Sequence, residues 1–135
     1  MREMTMNVKL LVSILLALCH FSANAEWIRV AATQQAVFYI DSEKSPMVGS
    51  NVMIWVLRDL KSVQFGPGLS IRSSKDQIEV DCARRKIRRI FSSDHARRMG
   101  EGKAIRSEHG PMSWNAATPN TPVSRIVGVA CALSG

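Results

Sequence analysis

Apolar positions fall into three regimes along this chain. From Leu10 to Leu18 they run almost without a break, interrupted only by Ser13. From Trp27 onward they alternate with polar residues, the period of a strand with one face buried. Near the C-terminus, Val123, Ile126, Val127, Ala130 and Cys131 recur three and four residues apart, the spacing of a helical stripe.

The alternating region divides at turn formers. Trp27, Arg29 and Ala31 point one way and Ile28 and Val30 the other. Gln34-Gln35 then separates this strand from a second, Ala36 to Ile40, and Asp41 to Ser50 reads as a loop. Asn51 to Leu60 is the strongest strand, its continuous Val52 to Leu57 run fitting a central strand buried on both faces. Gly66-Pro67-Gly68 breaks the chain, and Ile78, Val80 and Cys82 alternate with Glu79 and Asp81 in a half-buried strand. Ala83 to Lys86 reads as a hairpin turn, which places a strand over Ile87 to Ser92. The spacing of Ile87, Ile90 and Phe91 fits a helical face as well, so the period leaves strand and helix open over 87–98. Gly100, Gly102, Gly110-Pro111 and Pro119 make the next stretch loop-rich, with a short strand predicted at Lys103 to Ser107. Thr121 is the predicted N-cap of the last helix, with Pro122 at its first position; Gly128 weakens that helix by about 1 kcal/mol against alanine. The pattern is that of several antiparallel strands followed by a C-terminal helix.

The first apolar run is too short for a membrane anchor, which needs roughly 20 residues. Arg2 and Lys9 precede it, and Ala23-Asn24-Ala25 follows as a small-x-small cleavage site before Glu26. Residues 1–25 thus read as a secretory signal peptide, with residues 26–135 as one mature domain. Cys19 would be a lipid-attachment alternative, but bulky Leu18 stands before it and the Ala25 site lies further on.

Export changes how charge and cysteines are read. The formal net charge is +7, of which the leader's Arg2, Lys9 and Glu3 supply only +1. A basic exported domain meets anionic lipids, lipopolysaccharide, glycans or acidic proteins, and nucleic acid lies in the wrong compartment. Cys82 and Cys131 remain after cleavage, and an oxidising setting favours a disulfide between them. Closing that loop would contribute roughly 4 kcal/mol in the chain-entropy model. Two buried free thiols are the rival reading; a metal site would lack two of its four ligands.

The densest candidate site is Arg84, Arg85, Lys86, Arg88 and Arg89, followed by Arg97 and Arg98. Arginine grips sulfate, phosphate and carboxylate in bidentate fashion, so the run suits an anionic partner. The plain alternative is a solvated hairpin whose charges discourage edge-to-edge pairing. Trp55 lies within an apolar run and is expected in the core; Trp27 and Trp114 are open candidates for a partner surface. His95 and His109 stand in polar stretches and are expected to be solvated. Ser92-Ser93-Asp94-His95 contains triad residue types, but adjacency does not make a triad. Neither Gly66-Pro67-Gly68 nor Gly100-Glu101-Gly102 has the lysine and helix of a phosphate loop. No enzyme chemistry, cofactor or metal is expected.

In order, Glu26-Trp27, Phe38-Tyr39-Ile40-Asp41, Val52 to Leu57 with Trp55, Ser73-Ser74 before Ile78-Glu79-Val80-Asp81-Cys82, Met99-Gly100-Glu101-Gly102, Trp114 and a last helix with Cys131 resemble the surface-adhesin protein E family of Gram-negative bacteria. The Arg84 to Arg89 run is more basic than that pattern. The resemblance implies an α+β fold, an antiparallel sheet of about five or six strands packed on the C-terminal helix. It also implies a disulfide between Cys82 and Cys131. By the same resemblance the chain would be a non-enzymatic adhesin of the outer-membrane surface, binding host extracellular-matrix or serum proteins. Anionic glycans or lipopolysaccharide are the ligands that the basic run itself suggests. The alternative is a periplasmic envelope protein sharing the fold without host binding. A homodimer through a strand edge or aromatic patch stays open.

Overall fold

The Val52 to Leu57 apolar run becomes part of the longest described strand, in the middle of the sheet. The computed structural model describes residues 26–41, 43 and 46–134; the leader, its cleavage site and Cys19 lie outside the described residues. The elements are β1 (Trp27–Ala32), β2 (Ala36–Asp41), β3 (Met47–Val48), β4 (Asn51–Gly66), β5 (Leu69–Asp81), β6 (Lys86–His95), β7 (Arg106–His109), β8 (Asn115–Ala116) and the helix α1 (Pro122–Ser134). The main sheet runs β1-β2-β4-β5-β6-β7, with β3 on β4 and β8 on β6. Every pairing is antiparallel.

Alternation along β4 and β5 decides the core. Val52, Ile54 and Val56 lie on one face with Ile78 and Val80, and α1 covers them with Ile126, Val127 and Ala130. Burying each such aliphatic side chain stabilises by about 1.5–3 kcal/mol, which outweighs the cost of Gly128 on the exposed side of the helix. Thr121 caps α1 as predicted: its hydroxyl accepts from the Ser124 N–H at 3.3 Å. Arg125 Nε donates to the Val30 carbonyl at 3.1 Å, holding the helix to β1. At the other end the Cys82–Cys131 disulfide, Cα atoms 5.8 Å apart, ties α1 to the turn after β5.

Several boundaries differ from the sequence reading. The stretch 87–95 is strand throughout, and its helix-like spacing comes from a bulge. Gln77 pairs Phe91 while Ile78 pairs Arg89, so Ile90 is an extra residue that breaks the two-residue period. The short strand predicted at Lys103 to Ser107 lies at Arg106–His109 instead. Trp55 is half-buried on the face opposite the helix rather than in the main core.

Candidate functional site

On the face opposite α1, residues line up across the strands. Trp55 on β4 pairs Gln77, Gln77 pairs Phe91, and Phe91 pairs His109 on β7, so the four form one lateral row. Trp55 and Phe91 meet edge to face with centroids 6.0 Å apart, and Phe91 meets His109 at 4.9 Å. The neighbouring row holds Glu79 and Arg88, also paired across β5 and β6. Glu79 is buried and accepts from Arg88 Nε and from Asn51 Nδ2 at 3.3 Å. The Arg88 guanidinium lies 4.6 Å from the Trp114 ring centroid. Aromatic rings and a held arginine thus form a ledge that α1 leaves uncovered.

The other end of this face is closed. Asp59, Ser73 and His95 form a second lateral row, and residues 97–102 fold back over it. Asp59 accepts from Arg98 Nη2 and from the Met99 N–H, both at 2.9 Å. Its own hydrogen bonding to Asp59 and the attraction of that carboxylate hold the Arg98 guanidinium above its usual range. The Ser73 hydroxyl donates to the Arg97 carbonyl and accepts from the Gly100 N–H at 2.8 Å. Gly100 takes φ +65°, and a Cβ there would stand 2.7 Å from the Lys75 side chain, so the loop needs glycine for both reasons. His95 bridges Ser93 Oγ at 3.0 Å and the Gly102 carbonyl at 3.2 Å. The expectation of a solvated His95 is therefore wrong: the returning loop buries it. His109 is exposed, as read from the sequence. Asp94 and His95, consecutive in a strand, point to opposite faces.

Strand alternation also divides the basic run. The Arg88 guanidinium turns to Glu79 and Trp114 on the ledge, whereas Arg89 pairs with Ile78 on the helix side, where a groove is lined by both residues. Arg85, at φ +52° in the tight turn, donates to Ser124 Oγ at 3.2 Å and so braces α1. Arg84 lies 4.0 Å from Asp81 at the same turn, and Lys86 is exposed. The five cations thus ring the β5–β6 turn, and two of them already hold structure together.

The groove is the third feature, missed in the sequence because its walls come from distant strands. It encloses about 360 Å³ beside α1, with Phe38, Val56 and Ile78 in its apolar lining and Arg58, Arg89 and Arg106 among its polar groups. Asp76 accepts from the Ser92 hydroxyl at 2.6 Å. Burial pushes its carboxyl above the usual value, more than Ser92, Arg89 and Arg58 pull it down. Beside it Arg106 Nη2 meets Asp94 Oδ2 at 2.7 Å. Among the described residues no group of three His, Cys, Asp or Glu side chains could hold a metal ion.

Solved structures share this arrangement of strands and helix. Protein E of Haemophilus influenzae is similar at TM-score 0.63 and 18% identity, the match covering 84% of this chain and 89% of that one. A second crystal form of that protein gives TM-score 0.62 at 18% identity over 82% and 91% of the two chains. Protein E from non-typeable Haemophilus influenzae gives 0.56 at 18% identity over 83% and 79%. No curated protein matches the sequence. The family model described as surface-adhesin protein E matches residues 27–132. That span takes in every strand and nearly all of α1, and the chain belongs to the surface-adhesin protein E family.

Proposed function

We propose that this protein is an exported surface adhesin that binds a host extracellular-matrix or serum protein through the uncovered face of its sheet. The leader over residues 1–25 delivers the mature domain, residues 26–135. The carrying observation is the ledge of Trp55, Phe91, His109, Arg88 and Trp114 on the face that α1 leaves uncovered. Aromatic and arginine side chains dominate the energetics of protein interfaces, and a flat rigid sheet presents them at little entropic cost. Arg84 and Lys86 at the adjoining turn, with Arg89 further along β6 on the groove side, add an attraction for acidic or sulfated surfaces that salt screens. Family membership supports a binding role without catalysis.

The test is surface-immobilised binding of matrix and serum proteins by the exported protein and two variants. Trp114→Ala with His109→Ala should weaken binding at least tenfold with no change in folding. Arg84→Ser with Arg89→Ser should slow association and remove its salt dependence. Retention on heparin should fall in the second variant only. Full binding by the ledge variant would exclude the sheet face. Protection of the domain from protease on intact cells would exclude surface exposure and favour the periplasmic alternative.

A further inference from the structure

Beyond Asp59 and Ser73 the β4–β5 hairpin leaves the sheet. The last pairs that its neighbours make with it are Ala36 with Leu60 and Ser73 with His95. Past these, the two strands project as a ribbon. Ala36, Leu60 and Ile71 bury a small apolar cluster at its base, with Leu69 packed against them. Between the pairs Asp59–Ser73 and Gln64–Ile71 lies a bulge in which residues 60–63 oppose Arg72 alone. Arg72 closes it, donating from Nε to the Leu60 carbonyl at 3.0 Å and from Nη2 to the Lys61 carbonyl at 3.4 Å. Pro67 and Gly68, the latter at φ +67°, make the tight turn. The projection is therefore a shaped element.

Its apex is apolar. Phe65 is 79% exposed, the most exposed large hydrophobic side chain described, and Val63 and Pro67 are exposed beside it. From Leu60 to Ser74 there is no acidic residue, while Lys61 and Arg72 supply cations. The nearest carboxylate, Asp59, is buried and occupied by Arg98 and the Met99 N–H. An apolar point behind a cationic collar matches the layering of a bilayer surface, acyl chains beneath phosphates.

We propose that the β4–β5 hairpin docks this protein on anionic phospholipid bilayers. Val63 and Phe65 enter the headgroup–acyl boundary, and Lys61 and Arg72 meet the phosphates. This goes beyond the adhesive ledge, which is a different surface. The experiment is co-sedimentation of the exported protein with phosphatidylglycerol–phosphatidylcholine vesicles and with phosphatidylcholine vesicles. Binding should need the anionic lipid, weaken with salt, and fall at least tenfold in Val63→Ser with Phe65→Ser. Both positions are solvent-exposed, so that variant should keep the urea midpoint of the parent. In Phe65→Trp, anionic vesicles should shift the added emission to the blue and brominated lipid should quench it. The ledge variant Trp114→Ala with His109→Ala should bind vesicles normally, separating the two surfaces. Failure to bind anionic vesicles, or unchanged binding by the Val63 and Phe65 double variant, would overturn the proposal. So would a self-association that this variant abolishes without any lipid effect, since the apex would then be covered by a second copy.

Discussion

The two faces of one sheet are covered by different chemistry. On one, Val52, Ile54, Val56, Ile78 and Val80 meet the apolar stripe of α1, and a disulfide fastens the helix at its far end. On the other, residues 97–102 lie over Asp59, Ser73 and His95 through directed hydrogen bonds. The apolar cover is non-directional, and its stabilisation scales with the apolar area removed from water. The polar cover is conditional: each donor or acceptor that loses its partner is left buried and unsatisfied. A helix thus closes one face broadly, while a short loop closes only one end of the other and leaves the aromatic ledge open.

The largest effect should come from unfastening the helix. Cys82→Ser with Cys131→Ser should cost about 2–5 kcal/mol in urea unfolding, the range for a native disulfide in a small domain. The parent protein under reducing conditions should move to the same midpoint. An unchanged midpoint would mean that apolar burial alone holds α1, and the contrast between the faces would then rest on packing without a covalent share.

Next is the loop-covered face. Asp59→Ala removes the acceptor of the Met99 N–H, while Arg98, with its side chain 65% exposed, turns to water. The expected loss is about 1–3 kcal/mol, the penalty of one buried unsatisfied group. Hydrogen exchange should locate it: the Met99 and Gly100 amides should exchange faster, with those of Ile126 and Val127 unchanged. Equal acceleration on α1 would show that the two covers unfold together.

The helix-covered face was far more legible in the sequence than the loop-covered one. Val52 to Val56 and the spacing from Val123 to Cys131 are local patterns whose period states which side is buried, and Thr121-Pro122 marks the helix start by its own chemistry. The cysteine pairing followed from compartment and family resemblance. His95 was misread because its burial depends on a loop that returns only after the strand has ended, and nothing in Ser93-Asp94-His95 reports that return. Gly100 and Gly102 were recognised as turn formers, but what they turned toward was not visible. The basic run is an intermediate case: once 87–95 is a strand, Arg88 and Arg89 must face opposite ways, yet Ile90 disguised the period. The groove had no local signal, since Arg58, Asp76, Ser92 and Arg106 come from four different strands.

Asp76 is where the helix-covered face stops being apolar, and it tests how far that face behaves as a core. Desolvation raises its carboxyl above the ordinary 3.8 despite the Ser92 hydrogen bond and the attraction of Arg89 and Arg58. A carboxyl raised on folding holds its proton more tightly in the native state than in the unfolded chain. Its contribution to stability therefore grows as pH falls from the native value toward 3.8, is constant below that, and is unfavourable at neutral pH. Asp76→Asn keeps an oxygen to accept from Ser92 and removes the charge. It should raise the neutral-pH urea midpoint slightly and flatten the acid-side dependence over that window, the smallest of these effects. A drop in the neutral-pH midpoint would instead show that Arg58 and Arg89 stabilise the carboxylate more than burial penalises it. The helix-covered face would then contain an ionic segment of its own, and the two faces would differ in proportion of polar support rather than in kind.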